Sequence, residues 1–186
     1  MKKLTMLFAL AIALTAVVGC TGKKETKAET PVDSTAVEVP DTAIYGIVGE
    51  GTTMSVLELL TEEGKTMQFE INTDSLSDIQ GGIFAGDRVT LTCMKGSEMP
   101  VVCKVVNLTT LLGKWTSLDR NFEIKEDGVV ESALKTESRP YTHWSMSNAS
   151  LILNTDTFSV LLLGPDSLSL ENENGIFVFK RQGVTK

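Results

Sequence analysis

The segment LGKWTSLDRNFEIKEDGVVES, Leu112–Ser132, decides how the second half of the chain is read. Within it Phe122 and Ile124 alternate with Asn121, Glu123 and Lys125, the two-residue period of a strand with one buried face. Asp127-Gly128 follows, a dipeptide that closes tight hairpins because both central positions of such a turn need positive φ. Asn174-Gly175 repeats the signal near the end of the chain. Working outward from these turns gives eight short strands. They are Gly113–Leu118, Asn121–Glu126, Val129–Leu134, Thr142–Ser147, Ser150–Asn154, Thr157–Leu163, Ser167–Glu171 and Gly175–Arg181. Short strands in unbroken succession predict a small up-and-down β-barrel.

Strand parity turns Trp115, Phe122, Ile124, Trp144, Met146, Leu151, Leu153, Phe158, Val160, Leu162, Leu168, Leu170, Phe177 and Phe179 inward. A barrel of eight strands is just wide enough to be filled by its own side chains or to hold one small ligand. Trp115, Phe122, Trp144, Met146, Phe158, Phe177 and Phe179 are therefore barrel core or the lining of a ligand site. Gly-x-Trp at Gly113–Trp115, then NFEIKEDGVVES and the closing IFVFKRQ, resembles the short lipocalin-like domains of bacterial lipoproteins. The resemblance implies a structural role for Arg181, whose guanidinium would lie over the indole of Trp115 as a cation over an aromatic face.

Upstream, Thr42–Glu50, Thr53–Leu60 and Thr66–Asn72 read as strands, with Glu63-Gly64 turning between the last two. In DSLSDIQGG, Ser75-x-x-Asp78 resembles a helix capping box and Gly81-Gly82 a helix stop, which predicts one short helix. Arg88–Met94 and Val101–Leu108 complete the set. Three strands, a helix and two strands are the element order of a five-stranded OB-fold. The expected fold is thus all-β: an OB-like barrel over residues 41–110, then a small eight-stranded lipocalin-like barrel over 111–186.

Cys93 and Cys103 fall in neighbouring strands about a turn centred near Glu98, so they are expected opposite each other with both side chains toward the core. In an exported protein such a pair forms a cross-strand disulfide or stays as two packed thiols.

The start of the chain supplies an address. Met1-Lys2-Lys3 and the apolar run Leu4–Val18 have the pattern of an export signal, and the run is too short to span a membrane comfortably. Val17-Val18-Gly19-Cys20 resembles the lipobox of bacterial lipoproteins. That resemblance implies removal of residues 1–19, acylation of Cys20 and attachment to the membrane by lipid, each buried methylene contributing about 0.8 kcal/mol. No aspartate follows the cysteine to resemble an inner-membrane retention signal, so outer membrane, facing the periplasm, is expected. Residues 20–40 contain no aromatic residue and little that could form a core, the composition of a flexible tether.

Composition narrows the roles. The chain carries a net charge of −7, and loss of Lys2 and Lys3 with the signal makes the remainder more acidic. Between Asp41 and Thr110 ten acids face four bases, with only Tyr45, Phe69 and Phe84 as aromatic residues. Nucleic acid, which needs a basic footprint and stacking platforms, is excluded as a partner. His143 is the only histidine, and its alternation with Trp144 and Met146 places it outside with Tyr141 and Ser145. No nucleophile elbow, triad or metal-ligand spacing accompanies it, so neither an enzyme nor a cofactor nor a metal is expected. A non-enzymatic envelope binding protein remains, whose partner is another envelope protein or a small apolar ligand in the second barrel. Envelope-stress and copper-resistance lipoproteins resemble it in combining the same two folds, though in the reverse order and with a cysteine pair-motif absent here.

Overall fold

The computed structural model describes residues 40–183 except 73, 75, 76, 97 and 134–137. The expected export signal, Cys20 and almost all of the expected tether lie outside the described residues. Fourteen strands and one four-residue helix follow in order: β1 Ile44–Val48, β2 Val56–Thr61, β3 Thr66–Glu70, β4 Asp78–Gln80, β5 Arg88–Met94, β6 Val101–Asn107, α1 Leu108–Leu111, β7 Gly113–Thr116, β8 Asn121–Ile124, β9 Val130–Ser132, β10 Trp144–Ser147, β11 Ser150–Leu153, β12 Asp156–Leu163, β13 Ser167–Asn172 and β14 Gly175–Arg181. They form two sheets within one compact unit, Val39–Lys186.

The first sheet has six strands in the order β3-β2-β1-β5-β6-β4, and β3 also meets β6 in parallel at the single pair Glu70↔Val101. Its core is made by the inward positions of this sheet, among them Leu57, Leu59, Phe69, Val89, Leu91, Val102 and Val105, all wholly buried. The second sheet runs β10-β11-β12-β13-β14-β7-β8-β9. Its end strands approach through one antiparallel bridge, Val129↔His143, so the eight strands make a nearly closed antiparallel barrel.

Three expectations are corrected. Residues Asp78–Gln80 are a strand parallel to β6 instead of a helix. The segment is too short to bury much as a helix, whereas a strand places Ile79 against the first core. Gly81 and Gly82 have positive φ, +91° and +76°, and their carbonyls accept hydrogen bonds from the Asn107 amide, so they make a turn clamped by β6. With this extra strand the first sheet has six members where five were expected.

Both other corrections come from bulges, which shift side-chain parity by one. In β6, Thr92 pairs with Lys104 but Cys93 pairs with Val102, leaving Cys103 as the extra residue. Val102 and Val105 both face the core, so Cys103 between them is half-buried. Cys93 shares the parity of Val89 and Leu91 but is exposed because it lies near the end of β5, and both cysteines are free thiols. In β12 the register shifts between Val160 and Leu162, so Leu163 is 4% exposed while Leu162 is 50% exposed. Leu163→Ala is accordingly expected to cost about 2–5 kcal/mol and Leu162→Ala within about 0.5 kcal/mol of nothing, measured by denaturant unfolding. Equal effects would place the bulge elsewhere.

Candidate functional site

The second barrel is filled by its own residues. Trp115, Leu151, Leu153, Val160, Leu168 and Leu170 are wholly buried, and Phe122, Ile124, Phe158 and Phe179 nearly so. Phe122 meets Phe179 edge-on at 5.1 Å between ring centroids, and Phe158 meets Phe177 at 5.8 Å. These are the spacings at which aromatic rings attract, and they leave no room for a guest between them. Trp144, Met146 and Phe177 pack against this cluster from its rim, and Trp144 Nε1 donates to Lys125 O at 2.6 Å. Tyr141, expected outside with His143, is buried and stands edge-on to Phe122 at 5.5 Å, because regular strand geometry begins only at Trp144. His143 itself is exposed, its Nδ1 2.8 Å from Thr142 Oγ1.

Arg181 closes the end of this barrel. Its guanidinium lies 4.2 Å from the centre of the Trp115 ring and donates to the carbonyls of Thr110, Leu112 and Pro165. Partial burial lowers its pKa, and three carbonyls with an indole face compensate the partly desolvated charge. Gly113 is required here: with φ of +122°, a β-carbon would lie 2.6 Å from Arg181 Nη1.

The outer face of the first sheet packs on the second barrel. Tyr45, Thr90 and Val106 are in register across β1, β5 and β6, and Tyr45 and Val106 join the second barrel's apolar cluster. The β12 bulge leaves backbone groups for this neighbour: Lys104 Nζ donates to Val160 O at 2.7 Å, and Leu163 N donates to Gln80 Oε1 at 2.8 Å. Asp78 pairs with Lys104 at 3.3 Å. Thr90 Oγ1 is a buried side-chain oxygen with no hydrogen bond within 3.5 Å among the described residues and only a weak interaction with Tyr45. Thr90→Val, which keeps the shape and removes that hydroxyl, is expected to change stability by no more than about 1 kcal/mol in thermal unfolding.

The entering chain is tied to the second barrel as well. The Asp41 carboxylate accepts from Tyr45 Oη at 2.6 Å, Asn148 N at 2.8 Å and Ala43 N at 3.0 Å, while Thr42 N and Oγ1 both donate to Asn148 Oδ1 at 2.9 Å. Burial opposes ionisation of Asp41, but these hydrogen bonds outweigh it and hold its pKa below 3.8. Burial and the adjacent Asp41 raise that of Tyr45. Because the folded pKa of Asp41 is depressed, its clip is at full strength above the ordinary aspartate range and weakens as pH falls through the folded value. The protection factor of the Asn148 amide is expected to fall below about pH 4 while that of the barrel core is kept.

Partial desolvation, and then Cys103, raise the pKa of the otherwise exposed Cys93 thiol. Among the described residues no three histidine, cysteine, aspartate or glutamate side chains gather as a metal site. The clefts open on the surface. One of about 130 Å³ lies beside Tyr45, Ile47, Leu60, Arg88 and Leu108, and a shallower one of about 720 Å³ is lined by Met54, Ile71, Ile79 and Ile83. A third, about 340 Å³, separates the Ser117–Arg120 turn from Ile176–Phe179 on β14. Ile176 and Val178 are each 60% exposed, and Leu118 is fully so.

The alternation that turns Phe177 and Phe179 inward leaves Ile176 and Val178 on the outer face of β14. GIFVF is apolar at successive positions, a departure from alternation that marks the outer face of β14 as unlike a solvated one. A lone lysine in VVCKVVN and an asparagine just before LTTL were the corresponding signals for the contact between the sheets and for the helix cap. None of the family models, curated proteins and solved structures compared with this chain matches it.

Proposed function

We propose that this chain is a lipid-anchored, non-enzymatic envelope protein whose folded part is a protein-interaction module. In this reading Cys20 carries the lipid, residues 20–40 are the tether, and the protein sits on the outer membrane facing the periplasm. The first sheet is an OB-like barrel: the cyclic order β1-β2-β3-β6-β5, with β3 and β6 parallel, supports that assignment. The second is a lipocalin-like barrel, supported by Gly113-x-Trp115 with Arg181 over the indole.

One observation carries the choice of role. The interior of the second barrel is occupied by its own aromatic and aliphatic side chains, so the surface is left for recognition. Exposed Leu118, Ile176 and Val178 supply apolar area of the kind that marks contact sites. Native mass spectrometry of the mature lipoprotein, extracted from its own envelope in mild detergent, tests the reading. A mass equal to chain plus acyl groups is expected. A further small molecule, retained until the protein unfolds and lost in Trp144→Ala, would make the protein a carrier.

A further inference from the structure

We infer that β14 offers a free strand edge on which the module captures an extended segment of a partner polypeptide by β-strand addition. The inference rests on the protein-interaction reading and names its site. β14 pairs with β13 along its length, from Ser167↔Lys180 to Asn172↔Gly175, but with β7 only at Lys180↔Thr116 and Arg181↔Trp115. The stretch Gly175–Phe179 therefore overhangs the end of β7.

Hydrogen-bonding direction alternates along an antiparallel strand. Arg181 N donates to Asp166 O on the β13 side, and Gln182 N donates to Lys114 O on the β7 side, both at 2.9 Å. Odd-numbered residues of β14 thus turn their main chain to β13 and even-numbered ones away from it. At Ile176 and Val178 that direction meets no strand among the described residues, only the cleft in front of the Ser117–Arg120 turn. Two N–H donors and two carbonyl acceptors, two residues apart, stand along this edge.

Such a row recognises the main chain of an extended peptide, and the side chains around it set the preference. Leu118, Ile176 and Val178 favour apolar residues at alternate positions. Glu171 lies directly across from Ile176, and Glu173 is in the adjoining hairpin turn. Asp119 and Arg120 line the cleft as a pair of opposite charges. That leaves Glu171, one strand further in, and Glu173 as the net charge near the hairpin end, and favours a partner segment with lysine or arginine there. Lysine, proline or inward charge commonly guard a free edge, and Ile176 and Val178 do none of this.

The test uses the mature chain, labelled for NMR, and the probe acetyl-Thr-Val-Thr-Val-Thr-Lys-amide. Addition of the probe is expected to slow solvent exchange of the Ile176 and Val178 amides about tenfold, with little change at Phe177 and Phe179, which already bond to β13. Val178→Pro removes one edge donor that the fold does not use and should abolish the effect. Ile176→Lys is the second variant should proline distort the strand, and it should abolish the effect with the spectrum otherwise unchanged. Exchanging the probe's lysine for glutamate should weaken binding about threefold. Protection elsewhere, or none at millimolar probe, overturns the inference. So does equal protection on concentrating the chain alone, which would make the edge a contact between copies. If the probe fails while the native mass stays bare, the edge is wrong and the protein-binding role stands. A retained small molecule removes the role itself.

Discussion

Truncating Trp115 to alanine is expected to cost about 3–5 kcal/mol of folding stability, the range for losing a large aromatic side chain from a core. Trp115 is wholly buried at the start of β7, and its Nε1 donates to Leu111 O at 2.9 Å. The loss extends beyond the indole's own area, because Arg181 stands over the ring and ties the carbonyls of Thr110, Leu112 and Pro165. Without the ring, a partly buried cation faces a cavity. Trp115→Phe separates the two contributions: it keeps an aromatic face and loses the N–H, and should cost about 1–3 kcal/mol. Urea unfolding followed by far-UV circular dichroism measures both. A cost for alanine below about 1 kcal/mol would mean that the site collapses and that Arg181 finds other partners.

Asn107→Ala is expected to cost about 3 kcal/mol, large for so small a side chain. Asn107 is wholly buried, and its amide donates to Asp87 Oδ2 at 2.7 Å, Gly82 O at 3.0 Å and Gly81 O at 3.3 Å. Its Oδ1 accepts from Thr110 N at 2.8 Å and so caps α1. Alanine leaves several polar groups unsatisfied at once, and the sum exceeds an ordinary cap deletion of about 1 kcal/mol. Gly81 already packs closely on this side chain, since a β-carbon there would lie only 2.7 Å from Asn107 Cβ. Thermal unfolding should show the loss, and Asn107→Ser, which retains a capping oxygen, should recover about 1 kcal/mol of it. No difference between the two variants would make the cap irrelevant and assign the whole cost to the Gly81–Gly82 turn.

Much of the fold could be read from local chemistry. Asp127-Gly128 and Asn174-Gly175 placed two hairpins, and alternation between turns assigned Trp115, Phe122, Leu151, Leu153, Leu168 and Leu170 to the inside of a barrel. What escaped was set by distant contacts. A bulge adds one residue without a distinctive sequence, so Cys103 and Leu162 fell on the wrong face. Asp78–Gln80 carries helix-cap signals locally and becomes a strand because β6 offers an edge. The site was harder still. That Ile176 and Val178 face open space depends on β14 being longer than β7 where they meet, which no window of sequence around either strand reveals.

The hydrogen bonds between Asp41, Thr42 and Asn148 have a mechanical meaning. Force arriving through Pro40 would load Asn148, on the β10–β11 turn of the second barrel, before it reaches β1 of the first. Tension arriving from the N-terminal side is thus shared between the two sheets at the point of entry, and β1 is shielded from being peeled off its sheet one bond at a time.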